Sequence, residues 1–169
     1  GAEQRTIKTT ASSPDHINQF VADNGNDYTQ LIGSMSYVHD TRDRVVFPTK
    51  GVRHNLILEA GLPGSDMEFY KLKYNGSVYR PVSENITAVA KASLAYGDGF
   101  GSTNDLPFFE NFYSGGIRTV RGFEYNSLGT TDGDLDDPEA IGGNVSVNAS
   151  AEVRFPMPFL TDVDGLKGS

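Results

Sequence analysis

The chain has 169 residues, 14 of them basic and 22 acidic, giving a formal charge of −8, with no cysteine and no tryptophan. The length allows one domain with a sizeable core; the lack of cysteine excludes a disulfide framework or thiolate metal site. The acidic balance argues against a nucleic-acid partner, which needs a basic stripe facing phosphates.

In chain order, the first 27 residues read as a fragmentary strand followed by a long loop, with Ser12-Ser13-Pro14 and Asp23-Asn24-Gly25-Asn26-Asp27 as its turn-rich parts. From Thr29 to Asp40 a weak alternation places Leu31, Met35 and Tyr37 on one side, with Ile32 and Val38 breaking it. Four stronger alternations follow, each the mark of a strand with two unlike faces. Gly51 to Leu62 sets Val52, His54, Leu56, Leu58 and Ala60 against Arg53, Asn55 and Glu59. Phe69 to Val82 sets Tyr70, Leu72, Tyr74 and Val78 against Lys71, Lys73, Asn75 and Ser77. Ile86 to Tyr96 sets Ala88, Ala90, Ala92 and Leu94 against Thr87, Lys91 and Ser93. Asn144 to Phe155 sets Val145, Val147, Ala149, Ala151 and Val153 against Ser146, Asn148, Ser150, Glu152 and Arg154. Leu62-Pro63-Gly64-Ser65-Asp66 and Pro81-Val82-Ser83-Glu84-Asn85 are short turns. Between the last two strands, residues 97–143 form a connection too long to be a mere link.

Alternation alone fits two folds: a soluble sandwich, and a membrane barrel that hides its apolar residues at every second position. No segment approaches the ~18 apolar residues of a spanning helix. The predicted strands exceed the usual ~5–6 residues of globular sheets and suit a tilted spanning strand of ~9–11 residues. Aromatics near strand ends, Tyr70, Tyr79, Tyr96, Phe155 and Phe159, are placed like interface girdles. These features favour the barrel. A barrel must close in lipid with at least eight strands, so five strands and ragged ends predict a piece of a larger wall.

The long connection holds the densest motif, Leu106-Pro107-Phe108-Phe109-Glu110-Asn111-Phe112-Tyr113-Ser114-Gly115-Gly116, followed by Val120-Arg121-Gly122-Phe123. Its apolar content is that of a core, which predicts a loop folded inward. Together with Phe47-Pro48-Thr49-Lys50-Gly51, Pro63-Gly64-Ser65-Asp66, Tyr96-Gly97-Asp98-Gly99-Phe100-Gly101 and Glu152 to Phe159, these residues resemble the barrel of the BamA family. That family inserts proteins into the Gram-negative outer membrane. The resemblance implies an all-β, antiparallel transmembrane β-barrel fragment, about five to six strands of a sixteen-stranded barrel, with residues 97–143 as an external loop folding into the lumen. It implies that Arg121, within Val120 to Phe123, locks the loop against an acidic wall residue, Glu152. Phe109, Phe112, Tyr113, Gly115 and Gly116 would pack the loop. Chemically, a guanidinium fork pins a carboxylate in one register better than a lysine does. Gly122 is expected to let the backbone approach the wall, and Phe123 to bury apolar area there.

The function implied is folding and insertion of outer-membrane β-barrel proteins. The partners implied are outer-membrane lipid and, for an intact family member, unfolded clients and assembly lipoproteins. The isolated segment is expected to self-associate. A protein-translocating pore of the same superfamily and a soluble β-sandwich binding module are the alternatives. No cofactor and no enzyme activity are expected, because His16, His39 and His54 are scattered and no Ser/His/Asp arrangement appears. The acidic tip Asp132 to Asp137 begins like a calcium loop, but has Asp137 where Gly is required and Gly143 where a bidentate Glu is required. It reads as a solvated tip.

Overall fold

A polar–apolar alternation of period two forces strands, and long ones follow wherever it runs uninterrupted. The computed structural model describes residues 2–8, 15–117, 119–132 and 139–155. In chain order the elements are β1 (Ala2–Thr6), α1 (Asp15–Asn24), β2 (Asp27–Asp40), β3 (Gly51–Gly61), β4 (Phe69–Pro81) and β5 (Thr87–Gly99). A 3-10 turn (Phe108–Glu110), two short strands, β6 (Thr131–Asp132) and β7 (Glu139–Ala140), and finally β8 (Val145–Arg154) complete them. Among the described residues, six strands form one sheet in the order β1-β2-β3-β4-β5-β8, every pairing antiparallel. The strands alternate direction, so connections collect at two rims. The turns 41–50 and 82–86 share one rim, while the turn at 62–68, the segment carrying α1, and the long loop share the other.

Helix α1 departs from the reading of this region as loop. Ile17, Phe20 and Val21 have helical spacing, and the Gly25 N–H bonds the Val21 carbonyl at 2.8 Å with φ +88° at Gly25. A left-handed glycine after the last turn is a common helix stop. That signal was present in the sequence.

The two faces of the sheet differ in what covers them. Register places Met35, Leu58 and Leu72 side by side across β2, β3 and β4, and Leu94 beside Val147 across β5 and β8. All five are exposed, Val147 by 70%. On the opposite face Tyr28, Gln30, Phe69, Lys71, Thr87 and Val89 are buried. Large apolar side chains bare on the outside, with the charged and amide side chains kept inside beside a small apolar cluster, are the arrangement of a membrane-barrel wall. The chain is thus an antiparallel transmembrane β-barrel fragment with a long inward loop.

The core is small and sits at the long-loop rim. Tyr28, Met67, Phe69 and Leu106 are buried together, flanked by Ile7, Phe20, Ile32 and Phe112. Burying a side chain such as Phe69 contributes about 1.5–3 kcal/mol. Ile32 breaks the alternation because it turns inward to this cluster. Tyr79 corrects the girdle expectation. It lies on the inward face, buried, with the Arg154 guanidinium 5.6 Å from its ring centre. Tyr70 and Tyr96 do face outward near the long-loop rim, with ring centres 5.9 Å apart. Phe159 lies outside the described residues.

At the opposite rim, the Asp43 carboxylate ties the turn 41–50 together. It accepts from the Thr49 N–H at 2.9 Å, the Thr49 hydroxyl at 2.7 Å and the Lys50 N–H at 3.2 Å. The Thr49 hydroxyl above all, then these backbone donors and nearby Arg44, holds its pKa well below the usual carboxylate range. Gly51 closes the turn at φ +105°, where a Cβ would lie 2.4 Å from the Thr41 carbonyl oxygen.

Candidate functional site: a loop held against the inner wall

Because side chains alternate, every inward position of β5 and β8 shares one parity, and register decides which of them meet. Val89 pairs with Glu152 and Lys91 with Ser150, so Lys91 lies diagonally across from Glu152. The Lys91 ammonium donates to Glu152 Oε1 at 2.9 Å, and Arg154 Nη2 lies 3.4 Å from Oε2. Arg121 reaches the same carboxylate from the loop, Nη2 to Oε1 at 2.5 Å. One wall carboxylate therefore gathers three cations, two from the wall and one from the loop. Glu152 is mostly buried, whereas the Arg121 side chain is 67% exposed.

Arg121 arrives there through a sequence of backbone ties. The Phe112 N–H bonds the Gly143 carbonyl at 2.8 Å and the Gly143 N–H returns to Phe112 at 3.0 Å. The Leu128 N–H bonds the Ser114 carbonyl at 3.0 Å, and the Gly116 N–H bonds the Phe123 carbonyl at 3.1 Å. The Ser114 and Ser146 hydroxyls, 3.1 Å apart, join the loop to β8. The Thr119 hydroxyl donates to the Gly115 carbonyl at 2.8 Å, tightening the turn before Arg121.

Individual residues depart from the simplest expectation. Gly122 does not approach the wall: a Cβ there would meet nothing within 4 Å. Its φ of +90° is what favours glycine. The crowded glycine is Gly115, packed against the loop's own backbone and not the wall: a Cβ would sit 2.3 Å from the Glu124 carbonyl oxygen, at φ +115°. Gly116 also has positive φ, beside the Tyr125 ring. Phe123 is 53% exposed and does not bury itself on the wall, while Val120 is partly buried. Phe109 and Phe112 pack inward as part of the rim cluster, and Tyr113 is half-buried. Phe20 of α1 meets Phe108 edge-on at 5.1 Å and Phe109 at 5.9 Å.

A second charge cluster joins loop to wall, through Glu110 of the aromatic motif, at Lys71. Its ammonium bonds Glu110 of the 3-10 turn and lies 3.1 Å from Glu59 on β3. Lys73 shares the same Glu59 oxygen at 2.8 Å. Lys71, Lys73 and Glu59 all have the inward parity, as do Lys91 and Arg154. Parity marked them as polar-face residues; only register and the path of the loop turn them into site residues. Of the acidic tip Asp132 to Asp137, Asp132 ends β6, while the rest lies outside the described residues, as does Arg118.

A wall of long strands, bare and apolar outside, with one long loop tied to its charged inner face, defines an outer-membrane β-barrel of the loop-plugged kind. The Omp85 superfamily domain matches residues 1–169, and the chain belongs to that superfamily. It is 33% identical over 170 residues to the outer membrane protein assembly factor BamA of Neisseria meningitidis, covering 95% of this chain and 21% of that protein. A SAM50-like protein of Schizosaccharomyces pombe is 34% identical over 133 residues, covering 74% of this chain and 26% of that one. The structure of BamA from Haemophilus ducreyi lacking POTRA domains 1–3 superposes with a TM-score of 0.80 at 28% identity, covering 92% of this chain and 33% of that one. The chain thus spans about a fifth to a third of the relatives named here.

Proposed function

We propose that this chain is part of the outer-membrane barrel that folds and inserts β-barrel proteins in a Gram-negative bacterium. It supplies mid-barrel wall strands and the loop that carries Val120, Arg121, Gly122 and Phe123. The single observation that carries this reading is the Arg121–Glu152 contact at 2.5 Å, which ties the loop to the inner wall. Such a contact sets where the loop tip lies more than it stabilises, because an ion pair with an exposed partner is screened by water and contributes little. The bacterial placement rests on the BamA relative, which matches 95% of this chain against 74% for the SAM50-like one.

In this reading the machine is not an enzyme. No nucleotide is consumed and no bond is made; strands elsewhere in the barrel template a client by edge pairing, while this segment keeps the lumen filled. Outer-membrane lipid contacts the outward face. Clients and assembly lipoproteins are partners of the whole protein. Among the described residues the six-stranded sheet carries no strand beyond β1 or β8, and open edges of this kind lead the isolated segment to self-associate.

The test is client assembly in vesicles of outer-membrane lipid by the full-length protein, read as the fraction of a client barrel that becomes heat-modifiable. Arg121→Gln and Glu152→Gln are each expected to slow assembly, and the double variant to be no slower than the worse single one. Unchanged rates in both single variants overturn the locking role.

A further inference from the structure

The loop meets the wall at two charge centres of opposite polarity. At its tip a loop cation, Arg121, finds a wall carboxylate, Glu152. At its root a loop carboxylate, Glu110, finds a wall cation, Lys71. The two differ in exposure. Lys71 and Glu110 each keep 10% of their side-chain surface, whereas Arg121 keeps 67%.

Exposure decides which contact holds. Ions facing water interact through a high dielectric and are screened by salt; those shielded by protein are coupled far more strongly. Lys71 cannot simply turn to solvent if Glu110 is removed, because it lies on the inward face under the loop. The root has other ties. Pro107 and Leu106 are buried, and Phe108 and Phe109 interlock with Phe20. Glu110 closes this patch, and the alternating order Glu110, Lys71, Glu59, Lys73 leaves no net charge in it.

We propose that Glu110 is the principal positioning residue of the loop, gripping Lys71 at the root, and that the Arg121–Glu152 contact only orients the tip. This rests on the reading that a fixed inward loop serves client assembly.

Hydrogen–deuterium exchange on the full-length protein in outer-membrane lipid vesicles separates the two contacts. Glu110→Gln is expected to speed exchange in both Asn111 to Gly115 and Thr119 to Leu128, by about tenfold, since opening the root frees the tip. Arg121→Gln should speed only Thr119 to Leu128. Lys71→Arg should keep the root protected and Lys71→Met should not. Raising salt to about 0.5 M should mimic Arg121→Gln and spare the root. Root exchange unchanged in Glu110→Gln, or opened equally by Arg121→Gln, overturns the proposal. Glu110→Gln removes one charge and leaves Glu59 beside Lys71, so it remains interpretable if Lys71→Met fails to fold. The same samples are assayed for client assembly. A loosened root with normal assembly upholds the positioning role and discards the functional reading; slow assembly with an unmoved root does the reverse.

Discussion

The outward and inward faces of the sheet obey opposite rules. Outward, Val147, Val153 and Met35 stand bare and apolar; inward, Gln30, Lys71 and Thr87 are buried and polar. In a water-soluble sheet the buried face is the apolar one. Here the apolar face meets lipid, where dense protein cover is unnecessary, and the polar face is covered in part by the chain's own loop, which leaves Arg53, Asn75 and Ser150 exposed. The difference teaches that alternation reports two faces without saying which solvent each one meets. Strand length and the composition of the long connection supplied that.

The largest expected effect lies at the rim cluster. Phe69→Ala should cost about 3–5 kcal/mol, as for large-to-small changes at fully buried aromatics, read from the urea midpoint of refolding into vesicles. A loss below 1 kcal/mol would mean that the inward face has no real core. Next comes a charge placed on either face of one strand. Leu94→Arg, outward in β5, should cost about 2–4 kcal/mol near the bilayer midplane, while Ser93→Arg beside it should cost little. Equal costs would erase the distinction between the faces.

A smaller effect tests the polar exception on the apolar face. His54 Nδ1 lies 2.7 Å from the Tyr74 hydroxyl, and the Tyr74 ring covers Gly76, where a Cβ would sit 2.6 Å from that hydroxyl. Tyr74→Phe should cost about 1 kcal/mol, the usual worth of one hydrogen bond. Gain of stability would instead mark His54 as an ordinary lipid-facing side chain.

The smallest effect concerns Asp43, at the short-turn rim where the faces meet. Its folded pKa is depressed by the Thr49 and Lys50 donors, so its contribution is present above the unfolded carboxylate value of roughly 3.9. That contribution fades only as pH falls through the lower folded value. The melting temperature of Asp43→Asn should therefore trail the parent at neutral pH and converge with it in strong acid. A constant gap would remove the carboxylate from the account.

Much of this fold was legible. β3, β4, β5 and β8 fall within about three residues of their alternation limits, because period two is a property of the side chains themselves. Helix α1 was legible too, in Ile17, Phe20, Val21 and Gly25, but the surrounding polar residues made it look like loop. Tyr79 was misplaced because proximity to a strand end outweighed its odd position. At the site, Arg121 and Glu152 came from a motif, and parity agreed. Lys91, Arg154, Lys71 and Glu110 required register and loop path, which depend on contacts between residues distant in sequence. The contrast between Gly115 and Gly122 is of the same kind: both need positive φ, yet only Gly115 is crowded.

The sheet is a simple meander with two long connections, the one through α1 between β1 and β2 and the loop between β5 and β8. β2 to β5 pair in succession across short turns, while β8 joins β5 only after the long loop, with Tyr96 opposite Val145. In kinetic terms, the four-stranded part can zip by local hairpins, and closing the longer connection adds entropy cost only logarithmically. Once β8 is zipped to β5, both ends of the loop are fastened at one place on the rim. Its tip then has to pass over that rim to reach Glu152. Fastening both ends of the loop at one place thus lowers the entropy that its tip has to give up when Arg121 meets Glu152.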